Sequence, residues 1–173
     1  MRDSETQGRY TVRCLTPEDY WTLRDLEGEI FGDEPAGALC PHYLRLCTDH
    51  YGAWCFLVLD GETPAGYVLN FPCGKTNYCA TLAVRPAYRK SRVNYLLVRA
   101  TVQKLLCEGM RACRFLVAPE NTEARSVHES LGARVVGTQE DCYVRGDRRL
   151  WSVIDEADLE ALRAKYTRLR LVS

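Results

Sequence analysis

The sequence predicts an α/β (α+β) fold, a mixed and mostly antiparallel central sheet flanked by helices on both faces. Three observations predict it. Short apolar runs separated by turn residues fill the stretch from Trp54 to Val84, the pattern of strands joined by tight turns. At Val93 the hydrophobic period changes to that of a helix. Strand and helix then alternate, which predicts helices packed on a sheet. A length of 173 residues suits one domain with its own core. A single domain is therefore expected over 1–173, with its core at about 10–154 and a basic helix at 155–170.

Each element has a local reason. Tyr10 to Leu15 reads as a short strand. Thr16 is a good N-cap, Pro17 suits the first helical position, and Glu18 and Asp19 favour the helix dipole in the first turn. Tyr20, Leu23, Leu26 and Ile30 recur at helical spacing as far as Phe31. Gly32 to Gly37 is expected as a loop and Pro41 to Asp49 as a second short helix. The run Trp54 to Leu59 is apolar throughout, as in a strand buried on both faces, and Asp60-Gly61 turns it into the strand Ala65 to Phe71. Gly74 precedes a strand at Asn77 to Val84, which Pro86 ends. Val93, Leu96, Leu97, Ala100, Val102, Leu105 and Leu106 form a wide stripe on a helix that Gly109 closes. Arg114 to Val117 is a strand, and Asn121 caps a helix running to Leu131 with Gly132 behind it. Arg134 to Thr138 and Arg149 to Ile154 complete the strands, and Asp155 opens the last helix.

Composition narrows the class. With 46% hydrophobic and 27% charged residues the chain reads as an ordinary soluble protein. It has no apolar run near the roughly 20 residues of a membrane span. The polar start, Met1 to Arg9, does not read as a secretory signal, so a cytoplasmic location is expected. Nine cysteines, odd in number and without close pairs, fit free thiols and predict neither a disulfide scaffold nor a zinc site. Net charge is zero overall, yet residues 1–80 carry −6 and residues 81–173 carry +6. That asymmetry fits acidic and basic faces about a cleft, or two solvated surfaces.

The stretch Leu82-Ala83-Val84-Arg85-Pro86-Ala87-Tyr88-Arg89, leading into the helix at Val93, carries the chemistry. A strand that feeds a helix through a short loop aims several backbone N–H groups and the helix dipole at one place, a natural seat for phosphate. Arg85, Arg89, Lys90 and Arg92 add full charges. The residues themselves leave two readings open: a polyanion site, or a basic loop that solubilises the helix start.

Leu82 to Asn94 resembles the acyl-CoA-binding motif of the GCN5-related N-acetyltransferases (GNATs), R/Q-x-x-G-x-G/A after the central strand, with Arg89, Arg92 and Asn94 at the three defining positions. A second block is similar too: Asn121, Ala124, His128 and Gly132 stand where that family has Asn, Ala, Tyr and Gly. The resemblance covers roughly residues 10–154. It implies that backbone groups of Leu82, Ala83 and Val84 bind the pantetheine arm. It implies a pyrophosphate held by Arg89, Lys90, Ser91, Arg92, Val93 and Asn94, with Asn121 lining the pantetheine channel. His128 is then the group that protonates the departing thiolate, acting as an imidazolium near neutral pH.

The match departs from the family at Arg92 and Asn94, which replace glycines that tolerate positive φ. It departs also at His128, and in the lack of an evident base among Asn77, Tyr78, Cys79 and Thr81. Glu29, Asn77 and Cys79 are the candidate acceptor-binding residues. The acidic group Glu27, Glu29, Asp33 and Glu34 would gather a cationic amine or simply be solvated, and His42 and His50 are either pocket or surface residues.

Three functions follow. The first is an N-acyltransferase moving an acetyl or other acyl group from acetyl-CoA or another acyl-CoA to a small-molecule amine, without a metal, as a monomer or homodimer. The second keeps the fold but takes an aminoacyl-tRNA as donor, using the basic tail Arg163, Lys165, Arg168 and Arg170. The third is a catalytically idle binding protein.

Overall fold

A computed structural model describes residues 4–33, 37–169 and 171, the side chains of 4–7 excepted. Among the described residues there are eight strands: β1 (Ser4–Gln7), β2 (Tyr10–Cys14), β3 (Phe56–Asp60), β4 (Thr63–Cys73), β5 (Thr76–Val84), β6 (Ala112–Val117), β7 (Arg134–Glu140) and β8 (Arg148–Ile154). The α-helices are α1 (Tyr20–Phe31), α2 (Pro41–Arg45), α3 (Val93–Cys107), α4 (Thr122–Ser130) and α5 (Glu156–Arg168). The chain divides into two compact units, Met1–Phe71 with Thr81–Lys104, and Pro72–Ala80 with Leu105–Ser173. Strands β4 and β5 contribute to both.

In the first unit the hydrogen-bonded order is β1-β2-β3-β4-β5, with β1/β2, β2/β3 and β3/β4 antiparallel. β1 was not expected: its polar residues carry no apolar alternation, and pairing with β2 sets its conformation. Leu57, Tyr67 and Leu69 from the sheet pack with Leu23 and Leu26 of α1 and Leu44 of α2, and all six are almost completely buried. The apolar run at β3 is the inner strand expected, with Phe56, Leu57 and Val58 all buried. The start of α1 is held by Asp19. It takes two hydrogen bonds from Arg13, both at 2.6 Å, and one from the Thr16 backbone N–H at 2.8 Å. The expected second helix is split: α2 ends at Arg45 and the chain continues as a π-helical turn, Leu46–His50.

In the second unit the order is β5-β6-β8-β7. β5 and β6 run parallel, whereas β6/β8 and β7/β8 are antiparallel. Asn121 accepts from the Ala124 N–H at 3.0 Å and starts α4, as its sequence position suggested. Gly132 follows α4 with φ 87°, a conformation that an L side chain adopts poorly. Asp155 and Asp158 exchange backbone-to-carboxylate hydrogen bonds, both 3.2 Å, at the start of α5. Leu159, Leu162 and Tyr166 give α5 its buried face. No helix among the described residues is long and apolar enough to cross a membrane.

Candidate functional site

The centre of interest is the end of β5. Its ladder with β6 runs from Thr76↔Ala112 to Tyr78↔Arg114 and stops there, although both strands continue, to Val84 and to Val117. Leu82, Ala83 and Val84 lie beyond that ladder. On the other side β4 comes very close: a Cβ placed on Gly66 would sit 2.7 Å from the Ala83 carbonyl oxygen and 2.9 Å from a methyl of Val93. Gly66 thus sets the spacing of β4, β5 and the start of α3, a role that sequence alone did not reveal.

After β5 the chain makes a short 3-10 turn, Pro86–Tyr88, and reaches α3 through Arg89 to Arg92. Ser91 is the pivot. Its hydroxyl donates to the Tyr88 carbonyl at 2.7 Å and accepts from the Val93 N–H at 3.2 Å. The first helical bond is Leu96 N–H to Arg92 C=O, 3.0 Å. The amides of Asn94 and Tyr95 fall in the helix's first turn, where N–H groups have no intrahelical partner. Among the described residues Asp141 is the one non-glycine with positive φ, so neither Arg92 nor Asn94 is in the left-handed region. The conformational demand expected of the missing glycines is not made here.

Charge at the loop is unequal. Arg89, Lys90 and Arg92 are exposed and make no salt bridge among the described residues. Arg92 lies 5.9 Å from the Tyr95 ring centroid. Arg85, read from sequence as a fourth free cation, is not one. Its Nη2 lies 2.6 Å from Glu29, and that pairing raises the guanidinium pKa and lowers the carboxyl pKa.

The remaining candidates are placed one by one. Glu29, a candidate acceptor-binding residue, is engaged by Arg85. Asn77 has no exposed surface and donates to the Cys113 thiol at 3.4 Å; an amide so placed meets no solvent-borne ligand in this conformation. Cys79 is half-buried on β5, and its backbone also bears on the Cys113 thiol, which burial pushes up to about 11. The described members of the acidic group have different surroundings. Glu27 is buried, accepting from the Tyr67 hydroxyl and from the Leu39 N–H at 2.9 Å. Desolvation raises its pKa against the lowering effect of those two bonds. Asp33 is exposed, and Glu34 lies outside the described residues, as does Arg170 of the basic tail. His42 and His50 are exposed.

In the second unit, Asn121 has its side-chain oxygen engaged in the α4 cap. His128 lies on α4 with its ring stacked on Phe115, centroids 4.0 Å apart and planes at 29°. Its Nδ1 is buried without a hydrogen-bond partner. Burial pushes the pKa down to about 4, so the ring is neutral near pH 7. The imidazolium expected from the unperturbed pKa is therefore corrected: apolar packing, invisible in the local sequence, disfavours the charged form. No group of three or more His, Cys, Asp or Glu able to hold a metal ion occurs among the described residues.

Residues 16–133 match the Acetyltransferase (GNAT) family. The chain belongs to the GNAT family of acyltransferase enzymes. Solved structures share the GNAT fold at low identity. The ribosomal-protein-S18-alanine N-acetyltransferase from Escherichia coli is 14% identical with a TM-score of 0.74, covering 84% of this chain and 93% of that one. Arabidopsis thaliana Naa50, in complex with the bisubstrate analogue CoA-Ac-MVNAL, is 14% identical with a TM-score of 0.70, covering 85% and 99%. Diaminobutyrate acetyltransferase EctA from Paenibacillus lautus, in complex with L-2,4-diaminobutyric acid and coenzyme A, is 17% identical with a TM-score of 0.65, covering 85% and 95%. No curated protein matches the sequence.

Proposed function

We propose that this GNAT transfers an acetyl group from acetyl-CoA to the primary amine of a small molecule. The observation that carries the donor half is the loop ahead of α3, where three exposed cations that make no salt bridge among the described residues immediately precede a 15-residue helix. A diphosphate carries the charge and acceptor oxygens that such a place binds. Arg89 to Asn94 would hold it, and the backbone of Leu82 to Val84 would hydrogen-bond the pantetheine arm. Asn121 would contribute its amide NH2, its oxygen being engaged in the cap. Another acyl group on CoA would use the same contacts.

In the reaction the amine nitrogen attacks the thioester carbonyl, the C–S bond breaks, and the amide forms as one proton passes from nitrogen to sulfur. A neutral His128 is a poor proton source, since an imidazole N–H is a far weaker acid than a thiol. Its role here is an N–H hydrogen bond to the developing thiolate, with protonation from solvent. A strand backbone N–H would support the carbonyl oxygen in the tetrahedral intermediate. Glu27 and Glu29 are already engaged, by Tyr67 and the Leu39 N–H and by Arg85, so neither is assigned as base; the acceptor enters as the neutral amine and the rate follows its deprotonation.

The test is a melting-temperature comparison of acetyl-CoA, longer acyl-CoAs, free CoA and bulk tRNA, followed by thiol release with diamines, amino acids and a free-N-terminus peptide. Stabilisation by acetyl-CoA and turnover with a small amine are expected. No stabilisation at millimolar acetyl-CoA removes the donor. Salt-dependent stabilisation by tRNA alone would favour the aminoacyl-tRNA reading, and turnover confined to the peptide would change the acceptor class. Binding without turnover of any amine would leave the idle-fold reading.

A further inference from the structure

Arg85 is held at three points, all within the first unit. Its Nε donates to the two oxygens of Glu29 at 2.9 and 2.7 Å, and its Nη2 lies 2.6 Å from the same carboxylate. Its Nη1 donates to the Pro64 carbonyl at 3.2 Å, and its backbone N–H donates to the Ala65 carbonyl at 3.0 Å. One residue thereby joins the last turns of α1, the start of β4 and the end of β5. Pro86 follows at once with a fixed φ, so the setting of Arg85 fixes the direction in which the chain leaves β5. The Ser91 bonds then carry that direction through to the first turn of α3.

We infer that the Glu29–Arg85 pair is a positioning device for the Arg89–Asn94 loop, aligning the α3 first turn with the diphosphate of the donor. The inference rests on the donor reading given above. Stability does not explain the pair, because both side chains are about a third exposed and such ion pairs contribute little. Direct phosphate binding by Arg85 does not explain it either, since its donors already face Glu29 and Pro64. The fork geometry also requires arginine: a lysine cannot reproduce a paired contact to one carboxylate together with a carbonyl contact.

Calorimetry with acetyl-CoA on the unaltered protein comes first, and absence of binding there overturns the donor reading itself. Given binding, Glu29→Gln and Arg85→Lys should each weaken acetyl-CoA about three- to tenfold. The double variant should be no worse than the weaker single one, because both remove the same contact. At saturating donor, kcat and the acceptor KM of Arg85→Lys should stay within about twofold, and the melting temperature of both single variants should hold. Unchanged or tighter donor binding in Glu29→Gln overturns the inference; tighter binding is what releasing Arg85 onto a phosphate would give. Additive losses in the double variant, or equal losses in donor and acceptor steps, overturn it too.

Discussion

His128 and Glu27 show how burial changes what a residue can do. The unfolded histidine takes up a proton below pH about 6.5, the folded one only below about 4. The folded pKa is depressed, so the stability contributed by the neutral ring is fully present above 6.5. It is lost as pH falls through about 4. His128→Phe should flatten the pH dependence of the urea midpoint across that window and lower turnover about tenfold to a hundredfold through the lost N–H donor. Unaltered turnover would show that the ring only packs on Phe115. Glu27 has the opposite sign. Its folded pKa is raised, so the folded state holds the proton more tightly and deprotonation with rising pH costs stability. Glu27→Gln should gain on the unaltered protein as pH rises from 4 to 7. Glu27→Ala should lose about 2–3 kcal/mol throughout, since Tyr67 and the Leu39 N–H lose their acceptor. Urea titrations at several pH values separate the two.

Among the elements, the junction of β4, β5 and α3 is the most constrained. Gly66→Ala would push a methyl against the Ala83 carbonyl and Val93 at the distances given above, so the strand or the first turn of α3 must shift. A cost of about 1–3 kcal/mol is expected by chemical denaturation, together with weaker acetyl-CoA binding by calorimetry. A neutral result in both would show that the backbone relaxes there. Most element boundaries were legible because their signals are local: Asn121 and Asp155 as caps, Gly109 and Gly132 as closures, the change of period at Val93. What escaped was set by distant partners. Glu29 and Arg85 lie 56 residues apart, Tyr67 and Glu27 lie 40 apart, and neither pairing has a sequence signature. The family was legible because its loop and helix motifs are short contiguous blocks. The ionisation state of His128 was not, because Phe115 packs on it from a separate element, strand β6.

For the molecule as a whole, net neutrality conceals opposite charge in the two parts of the sequence, −6 over residues 1–80 and +6 over 81–173. Several arginines of the second part are engaged: Arg111 with Glu156, Arg134 with Asp155, Arg163 with the Leu106 carbonyl. Arg89, Lys90 and Arg92 stay exposed to solvent, where screening is strong. Acetyl-CoA affinity should therefore fall several-fold between about 0.05 and 0.5 M salt. Affinity insensitive to salt would mean that backbone amides, not these cations, hold the donor.

The interleaving of the two units has a consequence for synthesis. The segment Pro72–Ala80 leaves the ribosome before the first unit has its last residues, Thr81–Lys104. Its parallel partner β6 ends only at Val117, and β8, which flanks β6, ends at Ile154. The opening residues of β5 therefore wait through more than thirty further additions before their ladder can close. During that interval they form an incomplete strand on a nascent chain, which is when a chaperone has most to protect.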